Sequence, residues 1–146
     1  MMRIFYFISL TIVTLFLVSC SIPKDSRDSL ERAKSTTIKV GAIENPPFVI
    51  YGESELTGSE IEMIRDFALN ESLEIDFIKG SESDLMKKIE EAEIHIVVGG
   101  ITKKTVWKEK SGQTKPYDGD HVWLVPKGEN RLVFTLETFF HAIEIR

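Results

Sequence analysis

The chain has one cysteine, Cys20, among 146 residues. No intrachain disulfide can staple it and no cysteine-based zinc site can form, so the fold must be stable through its hydrophobic core. An excess of positive charge is also missing. With 18 basic against 23 acidic residues, interspersed, and a net charge of −5, there is no basic stripe to follow a phosphate backbone, which argues against nucleic acid as a partner. Long apolar runs are scarce. The uncharged stretch from Ile4 to Val18 is about 15 residues, short of the roughly 20 that cross a bilayer as a helix, and it ends in Leu17-Val18-Ser19-Cys20 rather than in basic stop-transfer residues. Catalytic groupings are absent as well: no nucleophile stands beside a base and no paired carboxylates mark an evident pocket. The three histidines, His95, His121 and His141, lack ligand spacing. The expectation is a protein that is not an enzyme and carries no metal or cofactor.

What is present begins with a signal-peptide layout: Met1-Met2-Arg3 with one positive charge, then the apolar run, then small residues before a cysteine. Leu17-Val18-Ser19-Cys20 resembles the lipobox of bacterial lipoproteins. That resemblance implies cleavage before Cys20 and acylation of Cys20, by palmitate-type chains, as the first residue of the mature protein. Each buried methylene of such a chain adds about 0.8 kcal/mol, so several chains hold a protein on a membrane for long times. The expected location is the periplasmic side of the cell envelope. Ser21 follows the cysteine where an aspartate would retain a Gram-negative lipoprotein in the inner membrane, and by that resemblance the outer membrane is weakly favoured. The expected organisation is a signal peptide over 1–19, the lipidated cysteine and a polar, flexible tether over 20–36, and one α/β lobe over 37–146.

Within the lobe, Thr37 to Ile43 alternates and is β-branched, which predicts a strand ending before Glu44-Asn45-Pro46-Pro47, where two prolines impose a loop. Ser59 and Glu62 have capping-box spacing ahead of Ile61, Ile64, Phe67 and Ala68 at helical period. Leu73 to Ile78 returns to period two. Gly80-Ser81 opens a second helix with Leu85, Met86 and Ile89 inward. Ile94 to Val98 is nearly all apolar, as expected of a strand covered by helices on both faces. Val122 to Val125 is a fourth strand candidate. A last helix, capped by Asn130, carries Leu132, Val133, Leu136, Phe139, Phe140 and Ile143 on one stripe, expected to pack on the lobe's own sheet. Strands alternating with helices indicate an α/β class with a mainly parallel sheet flanked by helices.

Ile38-Lys39-Val40-Gly41, then Asn45-Pro46-Pro47-Phe48, then Leu56-Thr57-Gly58 running into a helix, resemble in order and spacing the opening of the periplasmic solute-binding proteins of amino-acid-type ABC importers, family 3. Gly99-Gly100-Ile101-Thr102 and Thr114-Lys115-Pro116-Tyr117 look like that family's ligand-loop threonine and the Ser/Thr-x-Pro-Tyr segment before its crossover. The resemblance covers about Ile38 to Tyr117 and implies a single lobe, the first, of the two-lobed type II periplasmic-binding-protein fold. Gly128-Glu129-Asn130 turns straight into the last helix where the family's chain enters its hinge.

In an open α/β sheet, ligands lie beyond the carboxyl ends of the strands, which directs attention to Glu44–Phe48 and Gly99–Thr105. The expected ligand-binding residues are Asn45, Phe48, Gly100, Thr102, Thr105, Trp107 and Tyr117. Phe48 reads equally as an apolar wall for a ligand or as a core residue under a rigid turn. Gly99-Gly100 offers either a close approach of ligand to backbone N–H groups or a tight strand exit. Relatives that bind amino acids carry a carboxylate-clamping arginine three residues beyond the matching threonine. This chain has Thr105 there, with Lys103 and Lys104 nearby, which counts against an ordinary α-amino acid. His95 stands where many relatives have an aspartate and reads as a structural replacement. Trp107, Tyr117 and Trp123 are aromatics that either contact a ligand or partner or fill the core. The functional expectation is a lipid-anchored domain recognising a small solute for ABC-type uptake or sensing, with an ABC permease or a second copy of the chain as partner. The alternative is an envelope interaction module that kept the fold, lost the solute, and docks an envelope protein through an aromatic face of Trp107 and Trp123.

Overall fold

The computed structural model describes Asp25 and residues 27–144. The expected signal peptide, Cys20 and the start of the tether lie outside the described residues. In chain order the elements are α1 (Ser29–Ser35), β1 (Ile38–Ala42), β2 (Ile50–Tyr51), β3 (Leu56–Thr57), α2 (Ser59–Glu71), β4 (Ile75–Lys79), α3 (Glu82–Glu90), β5 (Ile96–Val98), a 3-10 turn (Val106–Glu109), β6 (Gly112–Gln113), β7 (Leu124–Val125) and α4 (Asn130–Glu144). Five strands form one sheet in the order β4-β1-β5-β7-β6, and β2-β3 is a separate hairpin. β4, β1 and β5 run parallel, with Val40 opposite Phe77 on one side and Ile96 on the other. β7 and β6 add an antiparallel edge, Val97 pairing with Leu124. The sheet is therefore mixed, its parallel part being the part read from the strand–helix alternation.

Period two decides which side chain goes to which face. Ile38, Val40 and Ala42 of β1, with Ile96 and Val98 of β5, meet Ile61, Ile64 and Phe67 of α2 and Leu132, Leu136, Phe139 and Phe140 of α4 in one buried cluster. On the other face Val97 and Leu124 meet Leu85, Met86 and Ile89 of α3. Each such side chain contributes roughly 1.5–3 kcal/mol by leaving water. The stripe on α4 packs on the lobe's own sheet, as expected from its period.

Three local expectations give way to tertiary contacts. Ser59 lies inside α2, whose N-cap is Gly58 at φ +117, a residue with no side chain to cap the helix. The N–H groups of Ser59 and Glu60 instead donate to the carbonyls of Pro47 and Phe48 at 3.1 Å each, so the preceding loop satisfies the helix start. A Cβ at position 58 would stand 2.3 Å from the Phe48 carbonyl oxygen, which only glycine avoids. Asn130 opens α4 itself, and the next N–H, that of Arg131, donates to Asp25 Oδ1 at 2.7 Å. The end of the expected tether is docked helix: Leu30 and Ala33 of α1 are buried, and the carboxylate of Glu129 accepts the N–H groups of Arg27 and Ser29 at 2.8 Å each. Ser81, by contrast, caps α3 as expected, its Oγ accepting from the N–H of Asp84.

Candidate functional site

Because β1 and β5 are neighbours, the loops leaving their carboxyl ends lie side by side. The first turns tightly at a cis Pro46–Pro47 bond and is closed by bonds between Asn45 and Val49. Asn45 then ties it to the second loop, its Nδ2 donating to the Gly99 carbonyl at 2.9 Å. Gly100, at φ +65, lies so close beneath Phe48 that a Cβ there would come within 2.3 Å of Cδ2 of the ring. Between the loops lies an open depression of about 470 Å3, lined by Ile43–Asn45, Gly99–Thr102 and Lys104–Val106, with Glu82 from the start of α3.

One buried carboxylate, which sequence reading did not single out, organises the second loop. Glu60, fully buried in the first turn of α2, takes the N–H groups of Gly99 and Gly100 on Oε2 at 2.6 and 2.8 Å. Its Oε1 accepts the hydroxyl of Tyr117 at 2.8 Å and the indole N–H of Trp123 at 3.2 Å. Burial pushes the Glu60 carboxyl above its usual range, against the pull of four hydrogen bonds that favour the charged form, from Gly100, Tyr117, Gly99 and Trp123. Tyr117 is in turn raised by burial, by the charge of Glu60 and by donating its hydroxyl there. The only sequence signal was an acidic residue directly after the Gly-Ser that starts a helix; helix period placed it beside, not on, the apolar stripe.

Thr102, in the lining of the depression, bridges to His121 across antiparallel backbone, and the His121 ring sits 4.5 Å from that of Phe48. His121 Nδ1 lies 2.7 Å from Asp118 Oδ2. Burial works to raise Asp118, but its bonds with the backbone and ring of His121 and the backbone of Asp120 outweigh that and lower it. On the rim, Thr105 Oγ1 accepts the N–H of Trp107, and the Trp107 indole donates to Glu82 Oε1 at 2.6 Å. His95 is buried in the core with Nδ1 accepting the N–H of Lys39 at 2.9 Å, and is pushed down to about 4 by burial and by the charges of Arg32 and Lys39, opposed by Glu129.

The sequence profile of the bacterial extracellular solute-binding proteins, family 3, matches residues 38–140. The chain belongs to that family. A relative described as "Probable histidine-binding protein", from Campylobacter jejuni, is 28% identical over 105 residues, which is 70% of this chain and 41% of the relative. The chain thus spans about two-fifths of the length of the curated relative it matches. Among solved structures, a tryptophan point mutant of the arginine-bound form of domain 1 from TmArgBP superposes with a TM-score of 0.74 at 16% identity, over 81% of this chain and 99% of that one. An amino acid ABC transporter substrate-binding protein from Streptococcus pneumoniae, bound to L-arginine, gives 0.71 at 10% identity over 80% and 92%. At these identities the likeness establishes the fold, a single lobe of the type II kind.

In this family 3 protein the structure brings four of the expected residues, Asn45, Gly100, Thr102 and Thr105, to one depression. Phe48 stands one layer behind, against Gly100 and His121. Trp107 is engaged with Glu82 on the rim, and Tyr117 faces inward to Glu60. Two readings that the sequence leaves open are decided by the contacts. The Gly99 and Gly100 N–H groups do not face the depression, because Glu60 takes both. Trp123 is fully buried, edge-on against Phe140 at 4.8 Å, so it fills the core and is not part of an exposed aromatic face with Trp107.

Proposed function

We propose that this lobe binds a small solute in the depression beyond β1 and β5, for ABC-type uptake or sensing, and is held at the periplasmic face of a membrane by lipid on Cys20. The observation that carries the reading is the convergence of Asn45, Gly100, Thr102 and Thr105 on one concave site at the carboxyl ends of adjacent parallel strands. Family membership supports it, as do relatives named for histidine or found with arginine. That domain 1 of TmArgBP occurs in an arginine-bound form supports solute binding by one lobe alone. Affinity for the lobe by itself is modest, since an open depression leaves more of a ligand in water than the 10–30% left exposed in a full cleft.

The test is a thermal-melt screen of the full-length protein, purified in detergent, against amino acids, amines, sugars, nucleosides and short peptides. A ligand at about 100 times its Kd adds about 2.7 kcal/mol, a rise of roughly ten degrees for a domain of this size. The expected result is a rise with one solute class that the T102A variant abolishes. A cooperative melt unmoved by every class would refute solute binding by this lobe.

A further inference from the structure

We infer that the base of the lobe, a groove around Phe134 between α1, the end of α2 and the start of α4, rests on the surface of the lipid bilayer, with the solute depression turned away from it. This goes beyond the solute reading and rests on the lipid proposed for Cys20.

The length of chain between the lipid and the lobe leads to this conclusion. A tether over 20–36 would reach up to about 58 Å and let the lobe take any orientation. The lobe begins much earlier. Asp25 Oδ1 accepts the Arg131 N–H at 2.7 Å, and the Glu129 carboxylate takes the N–H groups of Arg27 and Ser29 at 2.8 Å each. Asp25 is itself buried against the lobe. Five peptide steps separate it from Cys20, and they span at most about 18 Å. A lobe of about 120 residues has a radius of gyration of about 14 Å and is therefore about 35 Å across. A tether half that length, fixed to one side of the lobe, cannot pass around it, so the side that holds Asp25 faces the bilayer.

Topology says which side that is. β7 runs antiparallel to β5, so the turn over 126–129 and the start of α4 lie at the amino ends of the parallel strands, opposite the depression at their carboxyl ends. α2 starts beside the loop that leaves β1 and ends just before β4 begins, which puts Glu71 at the same base. There a hollow of about 600 Å3 is lined by Leu30 and Lys34 of α1, Glu71 of α2, and Arg131 and Phe134 of α4. Phe134 is 72% exposed and also lines a smaller hollow of about 170 Å3 with Phe139. Arg131 Nη2 and Lys34 Nζ share the Glu31 carboxylate at 2.9 and 3.7 Å. With Glu71 this makes two cations against two carboxylates, so no net charge holds the rim away from a membrane surface. A large exposed aromatic beside an apolar hollow is the kind of group that inserts at a lipid–water boundary, while the long basic stems next to it keep their charged heads in water.

The experiment uses the full-length protein, expressed with its own leader and labelled with tagged palmitate, in phosphatidylcholine vesicles whose acyl chains are either plain or brominated, bromine being a short-range quencher of tryptophan. Native Trp107, on the rim of the depression, and Trp123, in the core, report the far side and the interior; Phe134→Trp adds a reporter at the base. Brominated chains should leave the emission of the parent unchanged and lower that of F134W. Phe134→Ala should move from these vesicles to an excess of empty ones about tenfold faster than the parent, the effect of leaving one apolar side chain in water. Equal F134W emission in both kinds of vesicle, with the label in place, would overturn the inference and leave the anchor standing. Quenching of the parent would also overturn it, because the depression would then lie on the bilayer. A dimer in detergent that Phe134→Ala dissociates would assign the groove to a second copy and overturn it as well. A chain that carries no label removes the anchor and the inference together.

Discussion

Substituting glutamine for Glu60 should cost this domain about 3 kcal/mol, and the geometry says why. The carboxylate accepts four donors, two on each oxygen. An amide keeps one acceptor oxygen, so whichever way it lies its NH2 confronts either the two glycine N–H groups or the Tyr117 hydroxyl and Trp123 indole. Two bonds to a charged acceptor are lost, at roughly 1.5–3 kcal/mol each, and relief from burying a charge returns part of this, for a net of about 2–4 kcal/mol. At about 4 °C per kcal/mol the melting temperature falls by about 8–16 °C. The assay is urea denaturation followed by tryptophan fluorescence, in which the buried Trp123 reports loss of the core. Tyr117→Phe removes one of the confronted donors, so E60Q combined with it should cost about 1 kcal/mol less than the sum of the two alone. The raised Glu60 carboxyl adds a pH signature. A group whose folded value lies above its unfolded one contributes fully below the unfolded value of about 4.5 and loses that contribution as pH rises through the folded one. The stability gap between parent and E60Q should therefore be wider below pH 4.5 than at pH 7. An E60Q protein within about 0.5 kcal/mol of the parent, or strict additivity with Tyr117→Phe, would refute the reasoning.

Two further outcomes are expected. His95 is held down to about 4 in the folded state against 6.5 when free, so between those values the unfolded chain binds the extra proton. Its contribution is complete above pH 6.5 and is lost as pH falls toward 4, up to about 3 kcal/mol; H95N, with an acceptor left for the Lys39 N–H, should flatten that part of a stability–pH curve measured by urea titration. Lipid attachment at Cys20 predicts that cells fed an alkyne-tagged palmitate label the parent protein and not C20A; equal labelling of both would remove the anchor.

Much of the architecture is legible along the chain because it rests on local periodicity. Alternation in Thr37–Ile43 and Leu73–Ile78, helical spacing from Ile61 to Ala68, and the stripe of α4 each announce one buried face, and burial is the largest favourable term in folding. Local signals fail where a distant part of the chain competes for the same groups. Ser59 and Glu62 have the spacing of a capping box, yet the carbonyls of Pro47 and Phe48 reach the helix start first. α1 looked too polar to dock, and it docks because the Glu129 carboxylate, some 100 residues away, caps it.

The site divides the same way. Sequence by itself determined the fold class, the two loops that form the depression, and the placing there of Asn45, Gly100, Thr102 and Thr105, since strand ends and glycine or proline turns are written in neighbouring residues. Only the tertiary structure decided that Trp123 is core, that Tyr117 faces inward, that Trp107 holds Glu82, and that Glu60 takes the glycine N–H groups. Each of those depends on a partner between 25 and 63 residues distant along the chain. Which donors and acceptors remain free for a ligand is a remainder left after all such long-range pairings are made, and no short window of sequence contains it.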